Sequence, residues 1–291
     1  MFAPERVPVA PTVCAVCDHT PLDLEPRCPT CGTQRMSPNV VLASRATEQD
    51  AVIARVERVF ESRSPESAAK LVAFGERVRQ SAAVVNVSVR YAIEFLVSDA
   101  LLYAAYAKLV EAGARRPAAG VDDTRRRSVE SMLFGSYGEE MRYAALTLGG
   151  VGLTSYGAVT IVLRDVAVSP RTSLLDENSF TFVERHQLRP GQEVPHGHRC
   201  PWATRHLLAM AKCGSQIDET TAEGRFANIL CDTTGDRKTD EFIEAFIFGP
   251  FGRGAIERLV LPARLPVDVS RSELQLLRRK AASRGVPVEE E

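Results

Sequence analysis

The 291-residue chain has almost no net charge: 36 Lys and Arg stand against 37 Asp and Glu, leaving -1 at pH 7. That excludes a global basic field of the kind that draws a protein to nucleic acid or an anionic membrane, so only local basic clusters could serve such a role. No apolar run reaches the roughly 20 residues of a membrane span. The opening MFAPERVPVAPTV lacks the charged start and apolar stretch of a secretory signal. The expected setting is cytoplasmic, with no membrane partner. Neither a Walker phosphate loop nor a G-x-G-x-x-G dinucleotide fingerprint is present, which argues against P-loop and Rossmann readings. Seven cysteines, an odd number, do not close a disulfide set. Hydrophobic residues at 45% and charged residues at 25% are ordinary globular usage with ample material for a core.

Four of the cysteines are grouped. The segment TVCAVCDHTPLDLEPRCPTCGT, residues 12–33, carries two C-x-x-C knuckles, Cys14 with Cys17 and Cys28 with Cys31. Four thiolates so spaced suit a closed tetrahedral zinc site, in which the metal supplies folding energy that so short a segment cannot draw from a core. Iron in a rubredoxin-like site and two redox pairs are the alternatives. A closed ligand set leaves no position for a substrate, so the metal is expected to be structural, with His19 exposed beside it. A second cluster, His196, His198, Cys200, His206 and Cys213, fits no familiar metal template and reads better as a loop followed by a helix containing Cys213.

After a polar link come helical patterns. ATEQDAVIARVERVFESR puts Val52, Ile53, Val56, Val59 and Phe60 on one stripe, with Thr47 and Asp50 placed like a capping box. SPESAAKLVAFGERVRQ offers Ser64 as N-cap and Pro65 at the first helical position. Val85, Val87 and Val89 alternate with Asn86, Ser88 and Arg90, the pattern of a half-buried strand ending at Arg90. A helix is expected from about Asp99 to Glu111, and the arginine-rich ARRPAAGVDDTRRRS reads as a surface loop opening another. AVTIVL, RFANILCD and EFIEAFIFG read as strands, RTSLLDENSF as a turn between strands, and SRSELQLLRRKAASRG as a closing helix capped by Ser270 and Glu273.

The stretch DEFIEAFIFGPF places Glu244 in the most apolar run near the C-terminus. Strand alternation sets it on one side with Phe242, Phe246 and Phe248. A bend or sheet rim that lets Glu244 reach water or an arginine is the plain explanation, and a carboxylate held at the mouth of an active-site cleft is the sharper one.

The order of these pieces over residues 82–263 resembles bacterial proteins of ADP-ribosyltransferase-like fold, above all a bacterial group similar to toxin ADP-ribosyltransferases whose sequences run YGA and RATF..DS ahead of a final YIEAQVHGP strand. The resemblance rests on MLFGSYGEEMRYAALTL, SYGAVTIVLRD, RTSLLDENSF and EFIEAFIFGPFGRGAIERLVLP. It implies an α+β fold, a split and mostly antiparallel sheet that clasps NAD, with flanking helices. It also implies roles: Glu244 as the catalytic glutamate, Arg90 as the first-strand contact to phosphate or ribose, Ser155 and Tyr156 on the middle strand, and Ser173, Asn178 and Ser179 on the wall nearby. Tyr137, Tyr143 or Tyr156 could stack on nicotinamide. TSYG stands where toxin members have Ser-Thr-Ser, and Phe242 stands two before Glu244 where they have Glu or Gln, so the acceptor, protein or nucleic acid, stays open.

The expected organisation is a zinc ribbon over 1–36, a helical linker over 37–81 and an ADP-ribosyltransferase-like domain over 82–291, with a toxin or defence role. Two other functions compete. One is a non-catalytic interaction module on the same fold; the other is nucleic-acid binding by Arg115, Arg116, Arg125, Arg126, Arg127 and the ribbon.

Overall fold

The computed structural model describes residues 5–290 except 23, 99–102, 104–119, 238 and 263–268. The helix expected over 99–111 lies, apart from Tyr103, outside the described residues, as do Arg115 and Arg116. Among the described residues no helix is long and apolar enough to cross a membrane.

Three helices follow the cysteine segment: α1 (Pro38–Ala43), α2 (Ala46–Glu61) and α3 (Pro65–Val78). The first and third open on proline, whose fixed φ suits the first helical position, and the Ser64 hydroxyl accepts the Ser67 amide at 3.1 Å to cap α3. In α2 the expected capping box is not used. The helix already begins at Ala46, which puts Thr47 inside its first turn. Val52, Ile53 and Val56 of α2 and Leu71, Phe74 and Val78 of α3 are buried in the main core, so the segment read as a linker is part of the central packing.

Eight strands form one sheet in the order β5-β4-β6-β2-β1-β3-β7-β8. They are β1 (Ala82–Val87), β2 (Met141–Thr147), β3 (Val159–Leu163), β4 (Thr172–Leu175), β5 (Arg199–Pro201), β6 (Glu244–Phe248), β7 (Ile256–Leu261) and β8 (Val288–Glu290). Neighbours are antiparallel except β7 and β8, which run parallel. The mostly antiparallel sheet is as expected, but the split is not. β1 pairs with both β2 and β3, and β2 with β6, which joins the strands into one continuous ladder.

Four sequence expectations change for local reasons. The strand expected to reach Arg90 stops at Val87, because the Ser88 hydroxyl accepts the Tyr91 amide at 3.2 Å and starts α4 (Val89–Val97). Side-chain oxygens of serine compete well for free amides at just such a boundary. RFANILCD forms α9 (Phe226–Leu230) instead of a strand; a short apolar run carries no period that separates the two. Ser155 and Tyr156 sit in a 3₁₀ turn, Thr154–Tyr156, ahead of β3. The turn after β4 leads into α7 (Ser179–Arg185) rather than a strand, because the Asn178 side chain caps that helix. The remaining helices are α5 (Gly120–Phe134), α6 (Asp165–Val168), α8 (Arg205–Cys213) and α10 (Arg271–Ser283), the last with the expected Ser270 and Glu273 capping box.

The two faces of the sheet are packed differently. Val85 and Val87 of β1, Ile161 of β3, Ala245 and Ile247 of β6 and Leu259 of β7 face one large core shared with α2, α3, α4, α8 and α10. The opposite face carries two smaller apolar clusters. One joins Val129, Phe134, Met141, Phe182 and Phe246, and the other joins Val84, Leu153, Val162, Phe242 and Val260.

Gly157 holds the 154–156 turn against β1: a Cβ there would lie 2.2 Å from the Val87 carbonyl carbon. Gly157→Ala must therefore shift backbone, and is expected to cost about 2 to 3 kcal/mol. A lowered urea midpoint checks this, with Gly224→Ala, which meets nothing within 4 Å, as the near-neutral control.

Candidate active site and metal centre

The sulfurs of Cys14, Cys17, Cys28 and Cys31 lie within 4.8 Å of one another, with Cys14 to Cys31 and Cys17 to Cys28 both at 3.6 Å. Each knuckle reverses at the residue after its second cysteine, Asp18 at φ 55° and Gly32 at φ 73°. The left-handed region suits glycine and is tolerated by aspartate. Arg35 donates to the carbonyls of Leu22 at 3.0 Å and Glu25 at 2.9 Å and ties the intervening loop to the second knuckle. The Cys31 amide holds the Cys28 thiol below its ordinary range, and the hydroxyl and amide of Thr33 take Cys31 down to about 6. Cys17 is different: although the His19 amide favours its thiolate, desolvation and the other three thiols push it up to about 12. Four thiolates cannot share this space without a counter-charge, and a divalent cation supplies one. The four cysteines could thus hold a metal ion such as zinc. His19 is exposed, as expected.

The second histidine and cysteine group does not converge on a metal position. His198 Nδ1 meets Asp176 Oδ2 at 2.9 Å, and His196 Nδ1 meets Glu48 Oε1 at 3.3 Å. Burial lowers His206 to about 4 and raises Cys213, inside α8, to about 12.

Glu244 opens β6, an inner strand, opposite Ala145 of β2 and Leu175 of β4. It is 6% exposed, so it does not escape to a rim. Its Oε2 accepts the backbone N–H of Ser179 at 2.7 Å, the first amide of α7. Burial raises its carboxyl to about 7, against the opposing pull of the Ser179 amide and of Arg126. Asn178 Oδ1 accepts the amides of Phe180 and Thr181 at 2.9 and 3.4 Å and so fixes the turn that presents the Ser179 amide. Asn178→Ala is expected to cost about 1 kcal/mol and to move the Glu244 carboxyl further up by loosening that amide. Carbon-detected titration of the carboxyl together with the melting temperature checks both.

Glu244 lies at the seam between the two smaller apolar clusters. Tyr143 packs against one and Tyr156 against the other, and both phenols are raised chiefly by burial and next by charge, with Glu244 among the charges they sense. Each tyrosine has an arginine over its ring: Arg126 at 5.4 Å from the centroid of Tyr143, and Arg237 at 4.6 Å from that of Tyr156. The charge of Arg126 acts on Glu130, Tyr143, Tyr156 and Glu244 alike. Arg237 is tethered to the Ser155 carbonyl at 3.0 Å, and the Ser155 hydroxyl donates to Asp240 at 2.6 Å.

Of the residues singled out from sequence, Glu244, Ser179, Asn178, Ser155 and Tyr156 gather around this seam. Ser173 is held elsewhere. It accepts from Asn39 Nδ2 at 3.1 Å, and the same nitrogen bonds the carbonyls of Arg171 and Phe246 to dock α1 on the sheet. Arg90 is not on a strand. It is exposed on α4, the layer that packs on the opposite face of the sheet, and acts electrostatically on Glu273 of α10. Arg126, Glu130, Arg237 and Asp240 join the site unforeseen as site residues. Only the i, i+4 spacing of Arg126 and Glu130, which puts both on one helix face, was a visible signal.

Neither the models of known protein families nor the curated proteins give a match to this chain.

Proposed function

We propose that the seam around Glu244 binds NAD and breaks the bond between nicotinamide and ribose, as an ADP-ribosyltransferase-like enzyme that passes ADP-ribose to a macromolecular acceptor or to water. The observation that carries this reading is the buried Glu244 carboxylate, fixed on an inner strand by the Ser179 amide between two arginine-covered tyrosines. Cleavage builds positive charge on the ribose. A carboxylate already in place stabilises that charge more in the transition state than in the ground state, and does so best where water is excluded. The tyrosine rings suit stacking on nicotinamide, and Arg126 and Arg237 suit pairing with the pyrophosphate. With Glu244 only 6% exposed, NAD reaches the carboxylate only when side chains around it move aside. The four-cysteine centre, which we take to hold zinc, lies outside this chemistry and supports the N-terminal segment.

Nicotinamide release from NAD by the purified protein, together with NAD-dependent thermal stabilisation, is the test. Release with stabilisation supports the enzyme. Absence of both, across protein and nucleic-acid acceptors, leaves a non-catalytic interaction module on the same fold. A nucleic-acid role for the basic cluster has less support, because Arg125 is paired with Glu184 at 3.1 Å and Arg126 faces Tyr143.

A further inference from the structure

We propose that Tyr143 and Glu130 form the acceptor side of this site and take the proton from the nucleophile that replaces nicotinamide, an assignment that rests on the NAD-cleaving reading above. Glu130 is a carboxylate that the chemistry at Glu244 does not use. It is 4% exposed on α5, and its Oε1 accepts the Tyr143 hydroxyl at 3.0 Å. The approach is built into the backbone. Gly138 lies so close over Glu130 that a Cβ there would be 2.7 Å from the Glu130 Cβ. A buried carboxylate is costly where only packing is needed, and a tyrosine hydroxyl could equally well have been satisfied by a carbonyl. Tyr143 stands opposite Phe246 in the ladder, with Glu244 two positions along on the same face. Such diagonal neighbours are roughly 7 to 8 Å apart, which sets the phenol and the carboxylate beside one another on one stretch of the sheet face.

The step balances without a further reactant. The oxygen of the nucleophile forms a bond to the ribose C1, while the bond from C1 to the ring nitrogen breaks and its electron pair leaves with neutral nicotinamide. The proton of the nucleophile passes to the Tyr143 oxygen as the Tyr143 proton passes to Glu130 Oε1. Tyr143 stays protonated on average, since burial holds its phenol well above the ordinary value. The charges that act on Glu130 are Arg126 on its own helix, Glu139 ahead of β2 and, from the other face of the sheet, Arg142 on β2, with the exposed Arg125 and Glu184 pair where α5 meets α7.

The experiment compares wild type, Glu130→Gln, Tyr143→Phe and the double variant in single-turnover nicotinamide release from pH 4.5 to 8, with NAD affinity by calorimetry and folding by circular dichroism. Each single variant is expected to slow release about 100-fold. NAD affinity should stay within about two-fold, and the double variant should be no slower than the singles, as expected of one relay. In the acid limb the wild-type rate should fall with a slope of two, for two carboxylates that must be ionised, and the Glu130→Gln rate with a slope of one. Wild-type rate and slope in Glu130→Gln, or full additivity in the double variant, would overturn the relay. Release that Glu244→Gln abolishes but Glu130→Gln leaves untouched sinks the relay alone, and no release from wild type sinks the NAD reading with it. Should Glu130→Gln fail to fold, Tyr143→Phe keeps the ring and Glu130→Asp keeps the charge. Loss of rate in the first with partial recovery in the second then supports the relay, and the reverse overturns it.

Discussion

Glu244→Gln is expected to slow nicotinamide release by about 10²- to 10³-fold, the size of effect seen when one fixed electrostatic partner of a transition state is removed. The glutamine oxygen can still accept the Ser179 amide, so the local fold should survive. Stability should move the other way. In the folded protein burial holds the Glu244 carboxyl at about 7, against an ordinary value of 4.5, so the folded state binds this proton more tightly than the unfolded chain does. The contribution is therefore fully present below the unfolded value and is lost as pH rises through the folded one. A gap of that size is worth roughly 3 kcal/mol. Wild type should lose about that much between pH 4.5 and pH 8, and the glutamine variant should not. Urea midpoints of the two proteins at pH 5 and pH 8 decide it: parallel pH dependence in both would refute a strained, desolvated carboxylate. A less active and more stable variant is the trade expected where a site is built against the preferences of the fold.

Removing the zinc proposed for the four cysteines is expected to unfold residues 8–36 and leave the sheet standing, with residues 5–7 still tied to α2 and α3 through Gln49, Asp50 and Arg79. The three apolar clusters contain no residue before Val52, and the cysteine segment is held by its knuckle turns, by Arg35 and by the sulfurs themselves. Metal-site free energies of about 10 to 16 kcal/mol in small four-ligand modules exceed anything such a segment gains by burial. One equivalent of zinc per chain by mass spectrometry under native conditions is the expected content, falling to zero in Cys28→Ser. Limited proteolysis should then cut within residues 8–36 of the variant and spare the remainder. Iron in the purified protein, or an intact N-terminal segment without metal, would send the cysteines back to a rubredoxin-like or redox role.

The parts of this molecule that short-range chemistry decides were legible in its sequence. The two knuckles, the Ser64 and Ser270 caps and the side of the late strand taken by Glu244 all follow from spacing or alternation over a few residues. Arg90 shows where that logic ends. The valine alternation runs on through Val89, and only the Ser88 hydroxyl, capping α4, cancels it. The partner of Glu244 was out of reach for another reason. Ser179 is 65 positions away, and it meets the carboxylate because β4 pairs with β6 and Asn178 starts a helix at the end of that strand. Arg126 read as part of a basic surface segment and Glu130 drew no reading, since nothing nearby in the chain announces that α5 packs against Met141 of β2.

The strand order has a consequence for synthesis. The cysteine segment closes over contacts within residues 14–31, the kind of short loop that forms early and quickly on a growing chain. The seam cannot follow so soon. β6 completes it by inserting between β2 and β4, strands made roughly 100 and 70 residues before it. Until Glu244 is made, the Ser179 amide has no carboxylate to meet. A ribosome carrying a partly made chain therefore holds a closed cysteine segment attached to a sheet that still lacks its inner strand β6.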